Sequence, residues 1–188
     1  VESDLSFKFK EAPFPGQRFQ TVTHLKFGYE PENILIDNIN LIIHPGDRIA
    51  VIGPNGKGKS TLLSLLAGEL TPTEGKIKNH DLTQIGYFGQ TNVDRMNFEN
   101  MVYEEIGASN PDLGIGGARS IAGLMMFEGD TAKKKIKVLS GGEKSRVLLG
   151  KILASPVGLL LLDEPTHHLD MQSVESLKTA LAEFKGAV

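Results

Sequence analysis

The chain has 188 residues, 40% of them hydrophobic, with 20 Lys and Arg against 23 Asp and Glu for a formal net charge of -3. That length suits one globular domain, or one with a small inserted lobe, and the charge balance argues against a domain that coats nucleic acid or anionic membrane by charge alone. There is no cysteine, hence no disulfide or thiolate metal site, which fits a reducing compartment. No apolar run approaches the roughly 18 residues of a membrane span. No charged-then-apolar leader opens the chain, so it reads as soluble and cytoplasmic, with both ends cut: Val1 is not an initiator Met, and FKGAV stops as an apolar segment begins.

Residues 1–20 alternate Leu5, Phe7 and Phe9 and then enter EAPFPGQ, whose prolines and glycine break regular structure. They are assigned to a linker or edge segment, and 21–188 to a single domain. Strand-like pieces follow at 22–27, 34–43 and 48–52; the last, RIAVI, is the short aliphatic run expected of a buried parallel strand. KSTLLSLLAGEL then reads as a helix with Leu62, Leu63, Leu65, Leu66 and Ala67 on most faces, a pattern for burial. Short strands recur at 75–79 and 84–88.

From 91 to 139 the texture changes to helical pieces separated by SNPDLGIGG and EGD, an inserted, mainly helical lobe. A helix over SGGEKSRVLLGKILAS, a buried strand GLLLL and a helix DMQSVESLKTALAEF complete the chain, the last with Val174, Leu177, Leu181 and Phe184 on one stripe. Strands alternating with helices imply an α/β core with a largely parallel sheet.

GPNGKGKS, 53–60, fits G-x-x-x-x-G-K-[ST] between a strand and a helix. Glycines there let backbone N–H groups curl around phosphate oxygens, and the helix N-terminus adds partial positive charge. The expected nucleotide-binding set is Gly53, Pro54, Asn55, Gly56, Lys57, Gly58, Lys59, Ser60 and Thr61, with Lys59 bridging the outer phosphates and Ser60 ligating Mg²⁺. Downstream, GLLLLDEPTHHLD carries Asp163 and Glu164 straight out of an apolar run. Carboxylates drawn into such surroundings cost several kcal/mol unless a cation or donors meet them. In a phosphate-loop fold the acid at that strand end holds magnesium, the role expected of Asp163, and Glu164 is placed to accept a proton from, or orient, the attacking water. Asp170 reads as a helix cap.

LSGGEKSR, 139–146, is by itself a helix start, with Ser140 and Glu143 as a capping box. Together with the phosphate loop and LLLLDEP it resembles the signature of ATP-binding-cassette (ABC) proteins, and the resemblance runs from about residue 20 to 188. It implies a P-loop NTPase fold with a mainly parallel core sheet, an antiparallel β subdomain and an inserted helical subdomain. It also implies Mg-dependent ATP hydrolysis, and two cassettes that sandwich ATP head to tail. Ser140, Gly141, Gly142 and Glu143 would then face the partner cassette's ATP, Tyr29 would stack on adenine, Gln90 of IGYFGQ would reach Mg²⁺ and contribute to catalysis with Lys59 and Glu164, and THHLD would cross the cassette interface.

LSGGEKSR, DEPTHHLD and ARSIAGLMMFEGDTAKKKIKVLSGGE look like the ABC-F subfamily, specifically its second cassette. Members carry two cassettes on one chain, lack a membrane domain and act on ribosomes; segment 1–20 resembles the tail of their interdomain linker. Two features depart from the pattern. His167 replaces the usual Asn, adding a group that titrates near neutrality, although His167 and His168 lack a third ligand at metal spacing. The switch histidine that these proteins place after the next strand is absent, the chain ending a few residues short of it. The fragment alone is therefore expected to hydrolyse little. Lys133, Lys134, Lys135 and Lys137 could meet ribosomal RNA phosphates or form a solvated basic loop. The alternative function is the motor subunit of an ABC membrane transporter.

Overall fold

A computed structural model describes residues 8–167 and 169–188, the side chains of Gln90 and Thr91 excepted. Leu5 and Phe7 of the opening alternation, and His168, lie outside the described residues. By internal packing the chain falls into two units, one of residues 12–87, 157–163 and 185–188, the other of 8–11, 88–156 and 164–184.

In the first unit, β1 (Gln20–Phe27) is the centre of an antiparallel sheet, flanked by β2 (Ile36–Ile43) and β3 (Glu74–Asn79). Val22 sits opposite Leu41 on one side and Ile77 on the other. A second sheet pairs β4 (Ile85–Phe88) with β5 (Leu159–Leu162), and α1 (Lys59–Leu66) packs against β5. Phe19, Val22, Leu25, Phe27, Leu65, Leu66, Leu159 and Leu161 form one buried cluster, each side chain contributing roughly 1.5 to 3 kcal/mol by leaving water. Polar anchors align these layers. Buried Gln20 donates through Nε2 to the Leu66 carbonyl at 2.8 Å and to Asn79 Oδ1 at 2.7 Å, and the Ser64 and Tyr87 hydroxyls are 2.9 Å apart.

The expected strand at 48–52 does not form. These residues have no regular structure, and Ile52 is 91% exposed. Val188 N–H donates to the Asp47 carbonyl at 2.9 Å and Ile49 N–H to the Val188 carbonyl at 2.8 Å. An aliphatic run becomes a buried parallel strand only where partners supply its hydrogen bonds and helices cover its faces. The same terminal segment pairs in parallel with β5 through Ala187 and Leu159.

The second unit is helical: α2 (Gln90–Val93), α3 (Val102–Gly107), α4 (Gly114–Leu124), α5 (Gly141–Ala154) and α6 (Met171–Glu183). α3, α4 and α5 pack on one another with Val102, Ile106, Ala122, Met125, Val147 and Leu149 buried. Gly150 permits that approach: a Cβ there would lie 3.0 Å from Ile106 Cδ1 and 3.1 Å from Met125 Cγ. Phe9 is buried and meets Phe184 edge-on at 5.7 Å. The fold is α/β as expected, with mixed parallel and antiparallel pairing and helical insertions.

Candidate nucleotide site

Residues 53–58 form an exposed turn that delivers the chain into α1. Gly58, the residue before the helix, has φ 92° and Gly56 has φ 74°, left-handed values that side chains other than glycine seldom adopt. No side chain caps α1 at Gly58, so the first helical N–H groups remain for a ligand. Nothing lies within 4 Å of where a Cβ would project from Gly53 or Gly56, leaving open space over the turn. Lys59 Nζ reaches back across the loop to the Gly53 carbonyl at 2.7 Å, the Pro54 carbonyl at 3.0 Å and Asn55 Oδ1 at 3.3 Å. The cation thus sits over the carbonyls of the same turn. Ser60 is exposed and Thr61 buried.

Tyr29 is near this helix, its hydroxyl 3.3 Å from Thr61 Oγ1. The ring meets Phe27 edge-on at 5.0 Å and is otherwise 68% exposed, a geometry with a face free for a planar base. Asp163 follows β5 directly and is half-buried, on the strand that α1 packs against. Among the described residues no group of three or more His, Cys, Asp or Glu could hold a metal. The oxygen donors available, Ser60 and Asp163, suit a Mg²⁺ that takes its other ligands from water and substrate phosphates. This donor set and the open glycine turn fit a magnesium nucleotide.

In the helical unit, Ser140 begins α5. Its hydroxyl accepts from Glu143 N–H at 3.3 Å, while Glu143 Oε2 accepts from Ser140 N–H at 2.8 Å. The backbone bond from Ser140, above all, holds the Glu143 carboxyl below the usual carboxylate range. Glu143 is therefore committed to the cap, and Ser140 and Gly141 are the exposed members of the signature, with Gly142 half-buried behind them. Asp170 caps α6 as expected, accepting from Ser173 N–H at 2.8 Å and its hydroxyl at 3.0 Å. Burial opposes the Asp170 charge, but the Ser173 bonds and Arg146, 3.5 Å away on α5, keep its pKa low. Gln90 opens α2; its side chain lies outside the described residues.

Glu164 adopts φ 46°, a left-handed conformation costing a non-glycine residue on the order of 1–3 kcal/mol. Its side chain is 54% exposed, and Oε2 is 3.3 Å from His167 Nδ1.

Sequence reasoning missed two clusters. Glu99 Oε2 accepts from Lys135 Nζ at 2.9 Å and Oε1 from Lys137 Nζ at 2.8 Å, while Lys133 pairs with Asp130 at 2.8 Å. Lys137 first, then Lys135, lower the Glu99 pKa to about 2. Inside the helical unit, buried Glu105 of α3 takes a hydrogen-bonded ion pair from Lys151 of α5 and a second bond from Asn100 Nδ2 at 2.9 Å. Periodicity does not mark the Glu99–Lys135, Glu99–Lys137 and Glu105–Lys151 pairings, because those partners are far apart in sequence.

The profile of the ABC transporter family matches residues 36–167. Among similar proteins, ABC transporter F family member 2 of Arabidopsis thaliana is 37% identical over 186 residues, 98% of this chain and 27% of that protein. The protein named "Probable ATP-binding protein YbiT" of Escherichia coli O157:H7 is 43% identical over 157 residues, 82% of this chain and 29% of that protein. The chain thus spans less than a third of these two curated relatives. The ATP-binding cassette MJ0796, solved as a dimer with ADP and Pi, superposes with a TM-score of 0.74 at 24% identity, covering 90% of this chain and 86% of that one, which supports the fold. Among the described residues no helix is long and apolar enough to cross a membrane. With the family profile spanning most of its length and its phosphate loop, the chain belongs to the ABC transporter family, as an ABC-type ATPase domain related to the ABC-F proteins.

Proposed function

We propose that this chain is the second ATP-binding and ATP-hydrolysing cassette of a cytoplasmic ABC-F protein that acts on the ribosome, ATP closing two cassettes head to tail and hydrolysis letting them part. The observation that carries the reading is the phosphate loop: Lys59 Nζ held at 2.7 Å over a turn with left-handed Gly56 and Gly58, at the start of an uncapped helix. Backbone N–H groups from Gly53 to Thr61, Pro54 excepted because it has none, bind the phosphates, Lys59 neutralises the outer two, and Tyr29 stacks on adenine. Ser60, Gln90 and Asp163 would hold Mg²⁺, which when bound offsets phosphate charge.

Glu164 acts as the proton acceptor for the attacking water. Ser140, Gly141, Gly142 and Glu143 present the α5 N-terminus to the nucleotide of the partner cassette, so the chain alone turns over ATP weakly. Kinship with ABC transporter F family member 2 supports the subfamily; the ribosome and the second cassette are proposed by family analogy.

The test uses the full-length protein. Glu164→Gln should bind Mg-ATP as the parent does and lose about 10²-fold or more in kcat, while ATP should retain the variant on ribosomes in co-sedimentation and not on lipid vesicles. Parent-like turnover by Glu164→Gln would remove the assigned base, and ATP-dependent binding to membranes in place of ribosomes would favour a transporter subunit.

A further inference from the structure

The turn bearing Glu164 is closed twice by one residue. His167 N–H donates to the Glu164 carbonyl at 2.9 Å, and His167 Nδ1 lies 3.3 Å from Glu164 Oε2. Pro165 fills the second position of this four-residue turn, where its preset φ is favoured. The backbone bond alone would hold the turn. The ring contact bears on the carboxylate.

Both side chains are exposed, 74% for His167 and 54% for Glu164, so the contact adds little to the core and screened charge attraction adds little to stability. Its consequence is orientation. An exposed Glu otherwise samples several rotamers, and a carboxylate that must meet a water gains rate from being held in one of them. A donor on Oε2 also leaves Oε1 as the oxygen open to an incoming proton.

Resting on the hydrolytic reading of Glu164, we propose that His167 is a positioning residue for it, its Nδ1–H donating to Oε2 so that Oε1 is presented to the attacking water. The donation requires the Nδ1–H tautomer. The ring nitrogen therefore reports the contact directly.

The first measurement is the nitrogen-15 NMR signature of His167 at alkaline pH in the full-length protein without nucleotide. The parent should show Nδ1–H, and Glu164→Ala should lower the Nδ1–H population. The same population in both proteins would overturn the proposal. The second measurement is steady-state ATPase activity. His167→Ala should lower kcat by roughly tenfold to a hundredfold with KM unchanged, His167→Asn, whose amide N–H can donate to the same oxygen, should restore most of that loss, and His167→Ala should add nothing in a Glu164→Gln background. Equal kcat for His167→Ala and the parent, or a drop that His167→Asn does not relieve, would also overturn it. Parent-like turnover by Glu164→Gln would instead defeat the catalytic assignment of Glu164, a result separable from the tautomer measurement, which needs no hydrolysis.

Discussion

Lys59 Nζ donates to the Gly53 carbonyl at 2.7 Å and to the Pro54 carbonyl at 3.0 Å, so the cation of the phosphate loop is folded onto the backbone of its own turn. A polyphosphate arriving there exchanges neutral carbonyl acceptors for anionic ones. Hydrogen bonds to charged groups contribute about 1.5–3 kcal/mol. Lys59→Met is expected to weaken ATP binding by about tenfold to a hundredfold while leaving the thermal midpoint close to that of the parent, because the side chain bonds only an exposed turn. Isothermal titration with Mg-ATP, paired with a melting curve, checks both.

The Lys151–Glu105 pair behaves oppositely. Glu105 is 3% exposed on α3 and faces Lys151 of α5, so removing that partner leaves a buried carboxylate with no countercharge and only the neutral donors Asn100 Nδ2 and Asn97 N–H. Lys151→Met alone is expected to destabilise the protein by about 3–5 kcal/mol, whereas Lys151→Met combined with Glu105→Leu should recover most of that loss. Urea denaturation of the two variants separates these outcomes, since the pair's desolvation opposes its attraction and only the orphaned charge is heavily penalised.

Glu99 carries the pH dependence most open to measurement. Its pKa is lowered from 4.5 to about 2 by Lys137 and Lys135. A depressed carboxylate favours the folded state above its ordinary value, and that contribution is lost as pH falls from 4.5 toward about 2. Glu99→Gln should therefore be less stable than the parent at neutral pH and indistinguishable from it at the acid end of that window. The same substitution frees two ammonium groups, so heparin or RNA affinity should rise, with a steeper salt dependence. Carboxyl-carbon NMR titration and a salt series on immobilised heparin are the measurements.

These lysines show where sequence reading reaches its limit. Read as a run, Lys133, Lys134, Lys135 and Lys137 are a basic loop with two possible destinies. Glu99, 38 residues before Lys137, neutralises part of it, and no window of periodicity spans that distance. RIAVI fails for a related reason. Its composition fits a buried strand, yet burial is a property of neighbours, and Ile52 is 91% exposed.

What the sequence by itself determined are features whose physics closes within a few residues. The glycines of GPNGKGKS permit left-handed turns into a helix, Ser140 and Glu143 cap each other three residues apart, and Asp170 caps α6 through Ser173. The tertiary structure alone decided the Glu105–Lys151 pair and the pairing of Glu99 with Lys135 and Lys137. The physical reason is that caps and turns are satisfied by backbone groups the local chain always brings with it, whereas ion pairs and strands need partners delivered by the packing of separate elements.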